Sequence, residues 1–94
     1  MTKTELVDYV AERVQLPKYQ IETVVNLVLQ GIMDTLQARD TVELRGFGSF
    51  RLYRRKPRVG RNPKTGDLVQ IPATQVPRFA AGKAFRALVD QPER

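Results

Sequence analysis

The chain reads as α+β: two N-terminal helices, a three-stranded antiparallel sheet with a long protruding β-ribbon arm, and a short C-terminal helix. Three observations carry that reading. Apolar residues recur at helical spacing as far as Asp40 and at strand spacing after it. Charge divides at the same point, with four cations against six acids up to Asp40 and twelve against four from Thr41 onward. Between Arg51 and Lys64 lie seven cations and no acid, with strand-like sequence on both sides of a proline-tipped turn.

Thr2-Lys3-Thr4-Glu5 has the pattern of a capping box, in which the Thr2 hydroxyl accepts from a first-turn amide and Glu5 reaches back. Leu6, Val7, Val10 and Val14 follow at helical spacing, which predicts a helix from Lys3 to Val14. Gln15-Leu16-Pro17 ends it, and Pro17 suits the start of a second helix. The second helix has its apolar positions at Ile21, Val25, Val28, Leu29, Ile32 and Leu36, and Val24, Leu27 and Met33 widen the stripe beyond what one short helix covers. Thr41-Val42-Glu43-Leu44 then alternates, and Arg45-Gly46 reads as a hairpin turn.

A long strand is expected from Phe47 or Gly48 through Val59, with Phe50 and Leu52 on its buried face. Past Tyr53 cations take both faces, Arg54, Lys56 and Arg58 on one and Arg55 on the other. The return strand, Asp67 to Phe79, alternates Val69, Ile71 and Ala73 and rejoins the body at Val76 and Phe79. Pro57, Pro72 and Pro77 suit an exposed ribbon with free edges and would be out of place in a central ladder. Ala81-Gly82-Lys83 opens the last helix, with Phe85, Leu88 and Val89 facing inward. The expected organisation is a single domain over 1–94: a helical base at 1–40, a sheet at 41–80 with the arm at 54–75, a C-terminal helix at 81–90 and a frayed tail at 91–94.

Composition excludes several chemistries. With no cysteine and no histidine there is no disulfide, no zinc-finger ligation and no cysteine or histidine catalysis. No metal and no cofactor are expected. Thr2-Lys3-Thr4-Glu5 is polar where a signal peptide would turn apolar, and no apolar run approaches bilayer-spanning length. The expectation is a soluble cytoplasmic protein with no membrane partner and no small-molecule substrate. One copy is too small to use both the wide stripe of the second helix and the phenylalanines. An intertwined dimer would use them, with Val28, Leu29, Ile32, Phe47, Phe50 and Phe79 in its core or interface.

A hairpin this cationic cannot pack against its own domain, because seven like charges on two adjacent strands repel without a counter-surface. It needs an extended polyanion to lie on, and DNA is the commonest. Arg45-Gly46-Phe47-Gly48-Ser49-Phe50, Gly60-Arg61-Asn62-Pro63-Lys64-Thr65-Gly66, Val76-Pro77-Arg78-Phe79 and Gly82-Lys83 resemble the bacterial HU and integration host factor family, over Met1 to Val89 with no obvious gap. The resemblance implies a homodimer or heterodimer with a helical base and two arms that wrap double-stranded DNA through the minor groove, a proline at each tip wedging between base pairs. On that reading Arg54, Arg55, Lys56, Arg58, Arg61, Asn62 and Lys64 contact phosphates or the groove, and Pro63 intercalates. Gly82 and Lys83 offer a phosphate site at a helix start, and Arg45, Arg78, Lys3 and Arg86 extend the contacts. For Lys3 and Arg86 plain surface charge is an equal alternative.

Pro63 has a rival explanation, since Asn62-Pro63-Lys64-Thr65 also makes a favourable type I turn. The phenylalanines read as core and interface, leaving Tyr53 as the one arm-side residue for base stacking. Arg45 preceded by Glu43, and the run from Arg61 to Asp67, resemble the integration host factor β chain. Thr41 departs from that chain, and Ala80-Ala81-Gly82-Lys83-Ala84 is more like HU. Sequence-nonspecific nucleoid organisation is the favoured expectation, with a sequence-preferring bender in recombination, replication or transcription as the alternative. Gly60 to Thr65 superficially echoes a P-loop, but proline stands where glycine should precede the lysine and a strand follows where a helix should. An enzyme is therefore not expected. A single-strand binder would need more aromatics on the arm.

Overall fold

The computed structural model describes residues 1–90; the expected tail at 91–94 lies outside them. The elements run α1 (Lys3–Val14), α2 (Lys18–Gln37), β1 (Val42–Leu44), β2 (Gly48–Arg55), β3 (Arg58–Arg61), β4 (Leu68–Ile71), β5 (Thr74–Ala81) and α3 (Lys83–Val89). The chain divides into two compact units, Met1–Thr35 and Leu36–Arg94.

In the first unit the capping box forms. The Glu5 amide donates to the Thr2 hydroxyl at 3.2 Å and the Thr2 amide to Glu5 Oε1 at 3.4 Å, so two orphan donors of α1 are satisfied reciprocally. Gln15 closes the helix in the left-handed conformation, its amide donating to the Ala11 carbonyl. The Pro17 carbonyl accepts from the Gln20 and Ile21 amides, which starts α2 just after the proline. Two polar clips tie the helices together: Lys18 Nζ to Asp8 Oδ1 at 2.8 Å and Lys3 Nζ to Asn26 Oδ1 at 2.9 Å. The hydrogen bond to Asp8, and then its charge, raises the Lys18 pKa above 10.5. That pair's contribution is full below the ordinary lysine value and is lost as pH rises through the elevated one.

Val7 and Ile21 are buried here. Val28 is 56% exposed and Leu29 40%, while Ile32 is half-buried. The stripe of α2 is thus largely uncovered in a single chain.

The second unit holds an antiparallel sheet of order β1-β2-β5 and a separate two-stranded ribbon, β3-β4. The long strands expected through Val59 and back from Asp67 are each broken. The last body pair is Arg55 with Thr74 and the first ribbon pair Arg58 with Ile71. Carrying the register through the gap sets Pro57 opposite Pro72. Neither has an amide hydrogen, so the ladder loses donors on both strands at one level, while the register continues with no bulge.

Antiparallel pairing sorts the side chains. Val42, Leu44, Phe50, Leu52, Pro77 and Phe79 share one face; Glu43, Ser49, Arg51, Tyr53, Arg55, Val76 and Arg78 share the other. Phe79 lies at the centre of an aromatic cluster, with ring centroids 4.9 Å from Phe50, 5.0 Å from Phe47 and 6.2 Å from Phe85. Phe47 stacks on Phe85 at 5.2 Å. Leu88 and Val89 of α3 do not face inward as expected: Leu88 is 72% exposed and Val89 nearly as much. Seven residues give α3 only two turns, and Phe85 alone reaches the cluster.

Gly48 is where the sheet tolerates no side chain. A Cβ there would stand 2.5 Å from the Ala80 carbonyl oxygen and 2.7 Å from the Phe79 ring. Backbone cannot yield cheaply, so Gly48→Ala is expected to destabilise the protein by about 3 kcal/mol. A urea-unfolding midpoint equal to the parent's would contradict that close approach.

Candidate nucleic-acid interface

The tip of the ribbon is a hydrogen-bonded loop. The Asn62 amide donates to the Asp67 carbonyl at 2.8 Å and the Gly66 amide to the Asn62 carbonyl at 2.7 Å. Asn62 Oδ1 accepts from the Lys64 amide at 2.9 Å, an Asx turn that folds the chain around Pro63. Thr65 Oγ1 accepts from the Asp67 amide at 3.3 Å, and Arg61 Nη1 donates to the Gly66 carbonyl at 3.3 Å. Gly66 has φ +77°, a conformation that disfavours a Cβ. The side chains of Arg61, Asn62 and Thr65 are thereby engaged in shaping the tip. Pro63 is left exposed at the apex, rigid, apolar and without an amide to leave unpaired.

Below the tip, Arg58 and Arg61 lie on opposite faces of β3, since they are an odd number of residues apart. Lys56 lies in the break beside Pro57. Arg54 and Arg55 end β2 on opposite faces, Arg55 with Arg51 and Arg78. All these cations are exposed, and among the described residues the single recorded ion pair is Lys18–Asp8. The ribbon therefore presents positive charge on both faces with no acid neutralising it, which focuses potential outward.

The body residues divide. Arg78 is on the sheet, its guanidinium 3.9 Å from the centre of the Tyr53 ring. One face of the Tyr53 ring is thus covered by an arginine, while the residue stays 45% exposed. Arg45 is exposed in the β1–β2 turn, and Glu43 does not pair with it: Glu43 stands opposite Ser49 in the ladder, with its side chain on the polar face. The Gly82 amide donates to the Phe47 carbonyl at 2.8 Å, so it closes the fold and is not a free phosphate donor. Lys83 and Arg86 are exposed on α3. Lys3 is bonded to Asn26. Arg51, absent from the sequence-predicted set, stands directly opposite Arg78. Counting by twos from Arg55 through Tyr53 would have found it.

The family described as Bacterial DNA-binding protein matches residues 1–90. The chain is 50% identical over 91 residues to integration host factor subunit beta of Haemophilus influenzae, covering 96% of this chain and 97% of that protein. It is 48% identical over 93 residues to the DNA-binding protein HU of a Nostoc species, covering 99% of each. Among solved structures it is similar to Anabaena HU cocrystallised with DNA, with a TM-score of 0.92 and 49% identity over 98% of this chain and all of that one. A basic, proline-tipped ribbon in register with a three-stranded sheet and near-complete coverage of HU and integration host factor sequences lead to one conclusion: the chain belongs to the bacterial DNA-binding protein family of HU and integration host factor.

Proposed function

We propose that this protein is a non-catalytic architectural factor that binds and bends double-stranded DNA through the minor groove and organises the nucleoid. The observation that carries the reading is Pro63, exposed at the apex of a loop locked by its neighbours, on a ribbon whose cations have no acidic partners. A proline inserted between bases kinks the duplex, and arginines on both ribbon faces hold phosphates as the bent DNA wraps. The Anabaena relative's capture with DNA supports the same use of this fold. Relatives named HU and integration host factor β match at similar identity; Arg45, with no ion pair to Glu43, supports binding without strong sequence preference. Kinking carries a sharp expectation in competition: nicked or gapped duplexes, already easy to bend, outcompete intact duplex, and single strands compete least. Equal preference for single strands would point to another nucleic-acid role.

The functional unit is a dimer, with two arms. Its support is apolar surface that one chain leaves open: Val28 and Leu29 on α2, and the aromatic cluster, in which Phe47 is 45% exposed. A second copy of this chain is the favoured partner. Light scattering at micromolar concentration should return twice the 10.7 kDa chain mass; the mass of one chain would exclude the dimer.

A further inference from the structure

The polar face of the three-stranded sheet carries a feature separate from the arm. Arg51 and Arg78 are directly opposed across β2 and β5, where paired Cβ atoms stand about 5 Å apart and like charges repel. No carboxylate pairs with either among the described residues. Each guanidinium is steadied by a neutral group instead. Arg78 lies over the Tyr53 ring at 3.9 Å, and Arg51 Nε donates to the Ser49 hydroxyl at 3.4 Å. A ring face and one hydroxyl use up few of the ten N–H donors that two guanidiniums carry, so both forks keep donors for an anion.

We propose that Arg51 and Arg78 form a clamp for one phosphodiester phosphate of the DNA backbone on this face, with Tyr53 as the positioning residue for Arg78. A phosphate between the two guanidiniums accepts from both and cancels their repulsion. The bound state thus relieves a conflict that the free protein carries. Tyr53 holds one fork in place beforehand, through its ring and not its hydroxyl. The clamp rests on the DNA-binding reading for its natural ligand, but its chemistry is recognition of a phosphate anion and is tested independently of bending.

The test compares Arg51→Gln with Arg61→Gln, an arm variant, in duplex affinity and in melting temperature without DNA. Arg51→Gln should weaken duplex binding about a hundredfold, as for loss of one hydrogen-bonded charge in each protomer of the dimer. It should also shallow the salt slope by about two units, one for the clamp in each protomer of the dimer. At low salt the same variant should melt higher than the parent, because the opposed charge is gone, and millimolar inorganic phosphate should stabilise the parent more than the variant. Tyr53→Leu should lose about tenfold in affinity, the size of one exposed cation–π contact in each protomer, with Tyr53→Phe restoring it. If Arg61→Gln weakens binding and Arg51→Gln does not, the clamp is wrong and the DNA-binding reading stands. If neither variant weakens binding, that reading falls, and a parent-specific response to inorganic phosphate decides the clamp as an anion site. A parent and an Arg51→Gln variant that respond equally to phosphate overturn it.

Discussion

Duplex affinity should fall by roughly four orders of magnitude between about 50 mM and about 200 mM salt, for a dimer that neutralises about eight phosphates. The corresponding slope of log K against log salt is near about −7. The expectation follows from where the charge lies. Arg54, Arg55, Lys56, Arg58, Arg61 and Lys64 are exposed and unpaired with acids, so bound phosphates release counterions without first displacing a protein carboxylate. Fluorescence anisotropy of a labelled duplex across a salt series measures the slope. A slope near zero would refute the electrostatic account of the arm.

Pro63→Ala should reduce duplex affinity about tenfold to a hundredfold at fixed salt while leaving the salt slope unchanged. The variant removes no charge, so counterion release is the same. It does remove the rigid wedge, and unstacking a base step costs a few kcal/mol that insertion must offset. Folding stability should hardly move, because Pro63 is exposed and the loop around it is held by Asn62, Thr65 and Gly66. That separates a wedge from a turn residue. A variant that binds as tightly as the parent would reduce Pro63 to shaping the tip.

Local chemistry made much of this fold legible. The capping box at Thr2 and Glu5 is a short-range pattern with one structural outcome, and α1 runs over the residues that the apolar spacing predicts. The change of period after Asp40 located the sheet for the same reason. What sequence reading missed was pairwise. Pro57 and Pro72 were visible as ribbon residues, but they lie opposite each other only once the register is known. Their facing positions break each expected long strand in two.

Leu88 and Val89 have inward-looking spacing, yet a two-turn helix presents only Phe85 to the aromatic cluster. In the candidate site, the cations and Pro63 are readable from a charge run and a turn motif. Arg51 belongs to the charge run but not to the expected contacts, because its meaning depends on Arg78, twenty-seven positions away in sequence and adjacent in the sheet. Conversely, the Gly82 amide looked free by motif and is bonded to Phe47, a contact that no local pattern announces.

Bending is the central claim, and energy transfer between dyes at the two ends of a short random-sequence duplex tests it most directly. The account predicts a saturable rise in transfer as protein is added, because insertion of Pro63 and wrapping by the arms bring the ends together. Saturable binding with no change in transfer would mean that the ribbon coats DNA without kinking it, and would contradict the account.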